Sequence, residues 1–308
     1  MSLALTAFNQ IIIMFFIILI GVVCYKIKLI DKETNKKLAD IVLLLVNPIL
    51  IFVSYQREFK STLLSGLLIS LVLALATHLF GILVSVIVLR KKNHEGDIAI
   101  ERFAIIYSNC GYIGIPLVNG IFGSEGVFYI TAYNTIFNLV LWTHGMITMS
   151  GKNDRKSIAK AILSPSIIAT VAGFILFICK VMLPGVINDA FNYVGSMNTP
   201  LAMLVAGITI AQNDILKLIR KLRIYYITFF KLLLVPIAML LLFHLFEMPR
   251  IVLITAVLAA ACPTAASINL FSLRYDKNYL YASELFAVTT ILSMFTIPLV
   301  MILANMLL

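Results

Sequence analysis

The chain has 308 residues, of which 61% are apolar and only 12% charged, with a formal net charge of +10 and a mean hydropathy of +1.04. A water-soluble domain has about a quarter of its residues charged, so this composition excludes a soluble globular protein and requires a bilayer to solvate much of the surface. The positive charges sit in short clusters between apolar stretches, which argues against a nucleic-acid partner.

A spanning helix needs about 20 mostly apolar residues. In chain order, ten such segments are predicted at roughly 8–25, 38–55, 62–89, 100–121, 126–149, 158–183, 194–212, 224–246, 250–272 and 280–306. The first has no basic stretch before it and is followed by its positive charges. It therefore reads as a spanning helix and not as a cleavable signal. The third and tenth are the most uniformly apolar, whereas the fourth, seventh and ninth are rich in Gly, Ser, Thr, Asn and Pro.

Of the 24 Lys and Arg, 19 fall in odd-numbered loops, among them Lys26, Lys28, Arg90, Lys91, Lys92, Lys152, Arg155, Lys156, Lys217, Arg220, Lys221, Arg274 and Lys277. The excess of Lys and Arg on the cytoplasmic side then puts both termini outside. Lys231 lies inside the eighth span and Glu284 inside the tenth; snorkelling to the interface is the default for each, and a Lys231–Glu284 pair is the alternative. Structural hydrogen bonding is expected of His78, His144 and His244. Cys24, Cys110, Cys179 and Cys262 lack CxxC spacing and read as small packing residues, so neither a metal nor a cofactor is expected.

Prolines recur in matching places. The second span contains Asn47-Pro48 and the seventh Asn198-Thr199-Pro200; the fourth contains Asn109-Cys110-Gly111 followed by Gly114-Ile115-Pro116, and the ninth Cys262-Pro263-Thr264. Five spans per half is an odd number, so the second half must cross the membrane in the opposite sense. This predicts a single all-α membrane unit of ten helices, an inverted repeat of 1–150 and 156–308 with broken, crossing fourth and ninth helices. Matched discontinuous helices of this kind mark the substrate site in secondary transporters.

Pro116 and Pro263 are expected to begin half-helices near the midplane, with Pro48 and Pro200 as kinks. Free amide hydrogens at such helix starts favour an anion, while the unwound carbonyls before them suit a cation. The surrounding side chains are polar and uncharged: Ser108 and Asn109 before the first break, Thr264, Ser267 and Asn269 after the second, and Asn47 beside Pro48. On the fifth span Tyr133, Asn134 and Asn138 complete the candidates, the two asparagines sharing one helical face. No catalytic set is evident, and an enzyme is not expected.

The segment Asn109-Cys-Gly-Tyr-Ile-Gly-Ile-Pro116-Leu117 resembles the auxin efflux carrier family, specifically its short bacterial members. Asn47-Pro48, the Pro263 region and the closing Thr289-Thr290-Ile291-Leu292-Ser293 to Pro298 extend the likeness over essentially the whole chain. The resemblance implies ten helices divided into a scaffold part and a transport part that carries the two crossing broken helices. It implies alternating-access transport of small organic anions, such as malate-like dicarboxylates, across the cytoplasmic membrane of a bacterium. It maps the crossover prolines to Pro116 and Pro263, the carboxylate-facing asparagine to Asn109, and a further polar contact to Asn134. The long central loop of the plant exporters is missing here. An ion-coupled symporter of the bile-acid transporter type and a passive anion channel are the alternatives. The coupling ion, H+ or Na+, and the oligomeric state, with a homodimer as one candidate, stay open.

Overall fold

The computed structural model describes residues 3–89, 97–151, 163–212 and 221–308, and the regular elements within them are all helical. The first part of the chain forms α1 (Leu3–Lys26), α2 (Lys32–Ile41), α3 (Asn47–Ser54), α4 (Ser61–Val88), α5 (Ile98–Ile106), α6 (Ile115–Val140) and α7 (Met146–Ser150). The second forms α8 (Pro165–Ile178), α9 (Gly185–Ser196), α10 (Asn198–Ala211), α11 (Leu222–Phe229), α12 (Val235–His244), α13 (Arg250–Ala261), α14 (Ser267–Arg274) and α15 (Tyr279–Leu307).

Several of these run on into one another. Among the described residues, seven continuous helical stretches are long and apolar enough to cross a membrane: Leu5–Lys26, Lys32–Ser54, Ser61–Val88, Cys110–Ser150, Gly185–Ala211, Leu222–His244 and Tyr279–Leu307. The expected fourth and fifth spans share the stretch Cys110–Ser150, which is broken by a kink at Gly123, where φ is 62° and ψ −152°. Only glycine takes up that conformation without steric cost. The expected sixth and ninth spans appear as the shorter apolar helices Pro165–Ile178 and Arg250–Ala261. Arg90, Lys91, Lys92, Lys152, Arg155, Lys156, Lys160, Lys217 and Arg220, which carry much of the charge asymmetry, lie outside the described residues.

The burial pattern is that of a protein solvated by lipid. On α4, Leu68, Val72, Leu75, Leu79, Leu83 and Val86 recur every three or four residues and are 45–65% exposed. The opposite face buries Gly66, Ser70, Thr77, His78, Gly81 and Ser85. In water such a helix would have its faces reversed. In a bilayer, small and polar residues belong at helix–helix contacts and large apolar ones against the acyl chains.

Prolines are accommodated by widened turns. Five-residue π turns at Val42–Val46, Cys110–Gly114 and Phe230–Leu234 each end two residues before a proline, Pro48, Pro116 and Pro236. A proline cannot donate its i→i−4 bond and its ring crowds that carbonyl. Shifting the preceding bonds to i→i−5 moves the carbonyl aside and lets the helix continue.

The helices nearest the two Asn-Pro segments pack tightly together. α1 crosses α10 at Gly21 and Gly207, where a Cβ on either glycine would collide with a backbone carbonyl, that of Leu204 or Ile18 respectively. α2 meets α10 through the Asn35 amide, which donates to Thr209 Oγ1 at 3.1 Å. α3 packs on α8 and α9, with the Tyr55 ring against Gly173. The remaining helices pack around α5, α6, α13 and α15.

Candidate functional site

Two helices stop in the middle of the protein and their continuations cross. α5 ends at Ile106, Tyr107 is extended and Ser108 forms a β-bridge, and helical turns resume at Cys110 after Asn109. α13 ends at Ala261, the chain passes through Cys262 and Pro263, and α14 starts at Ser267. The extended pieces run antiparallel and pair at Ser108 and Thr264. The Asn109 amide donates to the Pro263 carbonyl at 2.7 Å, and the Ala265 amide to the Tyr107 carbonyl at 2.9 Å.

The side chains of the paired residues act reciprocally. Ser108 Oγ donates to the Ala260 carbonyl at 3.2 Å, closing the C-terminal end of α13. Thr264 Oγ1 donates to the Ala104 carbonyl at 3.1 Å, closing the end of α5. The Thr264 amide in turn donates to Thr289 Oγ1 on α15 at 3.2 Å. An unsatisfied peptide group in hydrocarbon costs several kcal/mol, so each break supplies the partners the other needs. Ser108 and Thr264, expected as substrate contacts, spend these hydrogen bonds on the crossing itself.

The half-helices do not begin at the prolines. The first restarts at Cys110, six residues before Pro116, because the π turn Cys110–Gly114 carries the helix smoothly through that proline. Pro263 lies within the extended piece, and its helix restarts four residues later at Ser267. The placement predicted from proline alone is therefore corrected at both breaks. At the first restart the Asn109 carbonyl accepts from the amides of Ile113 and Gly114, both at 3.0 Å. The amides immediately after Asn109 have no carbonyl one turn earlier to bond, as at any helix start.

Asn109 itself is 5% exposed, and its side-chain amide has no hydrogen-bond partner among the described residues. Asn134 lies alongside: its Oδ1 accepts from Cys110 Sγ at 3.6 Å and would be 3.3 Å from a Cβ on Gly111. The lack of a side chain at Gly111 thus lets α6 approach the helix start. Gly114 does the same for Cys262 Sγ and Ile130, each 3.2 Å from where its Cβ would stand. Asn138 turns back on its own helix and donates to the Asn134 carbonyl at 2.8 Å. On α14, Asn269 Oδ1 and Ser267 Oγ are buried without partners among the described residues.

Asn47 is engaged elsewhere. Its Oδ1 accepts from the Asn198 side-chain amide, which joins the two Asn-Pro segments; Pro48 and Pro200 sit just inside the helices that follow. His78 donates from Nδ1 to the Ala74 carbonyl at 2.7 Å, and His144 Nδ1 lies 2.9 Å from the Tyr107 hydroxyl.

Charge inside the protein is arranged differently from expectation. Glu284 pairs with Lys221, whose Nζ lies 2.7 and 2.5 Å from its two carboxylate oxygens, and not with Lys231. Ten residues of helix separate the two lysines, about 15 Å along the axis, so only Lys221 is level with Glu284. Lys231 does not snorkel either. It is 1% exposed, and its ammonium nitrogen donates to Ser108 Oγ at the crossing. Glu101, fully buried, accepts from Arg223 Nε and Nη2 at 2.8 and 2.6 Å and from the Tyr281 hydroxyl at 2.9 Å. Lys231 is a residue at the crossing that sequence reasoning missed. Its signal was its depth, about two turns inside an apolar span.

Comparison with known proteins finds membrane transporters. The family model described as "Membrane transport protein" matches residues 6–301. An uncharacterized transporter of Methanothermobacter thermautotrophicus is 22% identical over 285 residues, covering 92% of this chain and 93% of its own. The uncharacterized transporter YfdV of Escherichia coli K12 is 27% identical over 200 residues, covering 61% of this chain and 62% of its own. A Rhizobium meliloti protein provisionally named a malonate transporter is 25% identical over 228 residues, covering 71% of each chain.

Proposed function

Since the chain belongs to the membrane transport protein family, that of the auxin efflux carriers, we propose that this multi-pass membrane transporter carries small carboxylates by alternating access. In this reading the ten predicted spans form one unit, an inverted repeat of 1–150 and 156–308, in the cytoplasmic membrane with both termini outside. α1–α3 with α8–α10 are the scaffold, and the helices around the crossing move against it.

The observation that carries the reading is Asn109: a buried residue whose side-chain amide has no partner among the described residues, at the start of a half-helix and beside the crossing of a second one. A carboxylate there accepts hydrogen bonds from the Asn109 side chain and from the first-turn amides after it, in a field that favours negative charge. Asn134 lines the same helix start and contributes its amide. Asn269 and Ser267, with unpartnered polar atoms, line the start of α14. The R. meliloti relative's name makes malonate the first substrate to try.

The test is counterflow of labelled malonate, with other mono- and dicarboxylates, in proteoliposomes. Saturable exchange that Asn109→Ala reduces at least tenfold, in a protein that still elutes as a folded species, supports the reading. Exchange unchanged by the substitution removes Asn109 from the site, and non-saturating flux replaces the carrier by a channel.

A further inference from the structure

Lys231 has an unusual environment for a charged side chain. Its nitrogen offers three N–H groups as an ammonium, and among the described residues it finds one acceptor, Ser108 Oγ. Ser108 Oγ in turn donates a hydrogen bond to the Ala260 carbonyl, so a hydrogen-bonded chain runs from the amine to the end of α13. The amine is within electrostatic reach of Cys110 and Cys262, one at each break, and of His78 on α4.

None of these neighbours is a carboxylate. The helices packed against the turn that holds Lys231 do carry acids, but those acids are taken. Glu284 on α15 is held by Lys221; Glu101 on α5 is held by Arg223 and Tyr281. An ammonium buried without a counter-charge is strongly disfavoured. The residue next to Ser108 is Asn109, where the carboxylate is placed above. An anion bound there would supply the charge that the ammonium lacks.

We propose that Lys231 couples transport to protons: the amine is neutral in the empty site and takes up one proton together with each carboxylate that binds beside Ser108 and Asn109. The step forms one N–H bond from the amine lone pair and breaks one O–H bond of a hydronium ion from the surrounding solution, which is left as water. When the site opens to the other side, carboxylate and proton leave together. The protein's own amine thus serves as the site's cation, and sodium is not required. This inference rests on the carboxylate reading of the site.

The experiment uses the full-length protein and malonate as the probe. Titrating malonate into the wild type by calorimetry, in two sodium-free buffers of different ionisation heat, reads proton uptake directly; about one proton per malonate is expected. In proteoliposomes, an imposed pH gradient should drive malonate accumulation without sodium, and a protonophore should reduce it at least tenfold. Lys231→Met should lose the gradient-driven accumulation. Lys231→Arg, whose guanidinium keeps its proton, should likewise lose the gradient-driven accumulation, and any malonate it binds should bring no proton with it.

Binding without proton uptake overturns the proposal, as does exchange indifferent to pH, and either result leaves the carboxylate site standing. Accumulation by Lys231→Arg equal to that of the wild type also overturns it. Failure of the wild type to bind or exchange any carboxylate removes the site reading, and this inference with it. The calorimetric measurement needs no variant, so a misfolded Lys231→Met leaves the proposal testable.

Discussion

The side-chain amide of Asn198 donates to the side-chain oxygen of Asn47, and both residues are buried, at 1% and 3% exposure. The bond joins the two Asn-Pro segments singled out in opposite halves of the sequence. Asn198→Ala leaves the Asn47 oxygen without this donor, and the expected loss is about 1–2 kcal/mol. Replacing both asparagines by leucine removes the need for the bond and should recover much of that loss. Thermal unfolding in detergent checks this; a double variant no more stable than Asn198→Ala would contradict it.

The crossing of α1 and α10 depends on two glycines. A methyl group at Gly207 would overlap the Ile18 carbonyl, which is backbone and cannot swing away. Gly207→Ala should therefore destabilise the protein by about 1–3 kcal/mol through overpacking. Gly185→Ala, at a position with nothing within 4 Å of the new methyl, serves as the matched control and should shift stability by less than about 0.5 kcal/mol. Equal melting temperatures for the two variants would count against a close-packed α1–α10 contact.

Glu101 ties α5, α11 and α15 together through Arg223 and Tyr281. Its carboxylate is fully buried, whereas the Arg223 side chain is one-third exposed. Glu101→Gln keeps the shape and removes the charge, leaving the guanidinium without its partner. Exposure of Arg223 moderates the effect, and a loss of about 3 kcal/mol is expected, at the low end for breaking a buried pair. Lys37→Ala, at the i,i+4 pair with Glu33 in which both side chains are exposed (73% and 78%), should cost about 1 kcal/mol or less. Chemical or thermal denaturation of the two variants side by side reads the difference.

Much of the fold was legible in the residue order. Runs of about 20 apolar residues can only be helices in a bilayer, because no other single segment satisfies its own backbone there. Asn109-Cys110-Gly111 and Pro263 announced two interruptions, and the structure has a break at each. The positions of the helix restarts were not legible. A proline signals a missing hydrogen bond, but whether the helix stops or widens depends on what supplies the freed carbonyls. At Pro116 a π turn absorbs the defect; at Pro263 the chain opens and pairs with the other break.

The same division holds for the candidate site. Residue types and spacing by themselves determined that a helical membrane protein would carry polar, uncharged groups at two interrupted helices. Only the tertiary structure decided which of those groups are spent on each other. Ser108 and Thr264 close the ends of each other's helices, Asn47 is committed to Asn198, and the Asn109 amide has no partner among the described residues. Tertiary structure also moved Lys231 from an assumed lipid interface to the crossing, 123 residues away in sequence from its partner Ser108. Sequence periodicity records which face of a helix is buried. The partner it meets there is set by how helices distant in the chain pack together, which no local pattern encodes.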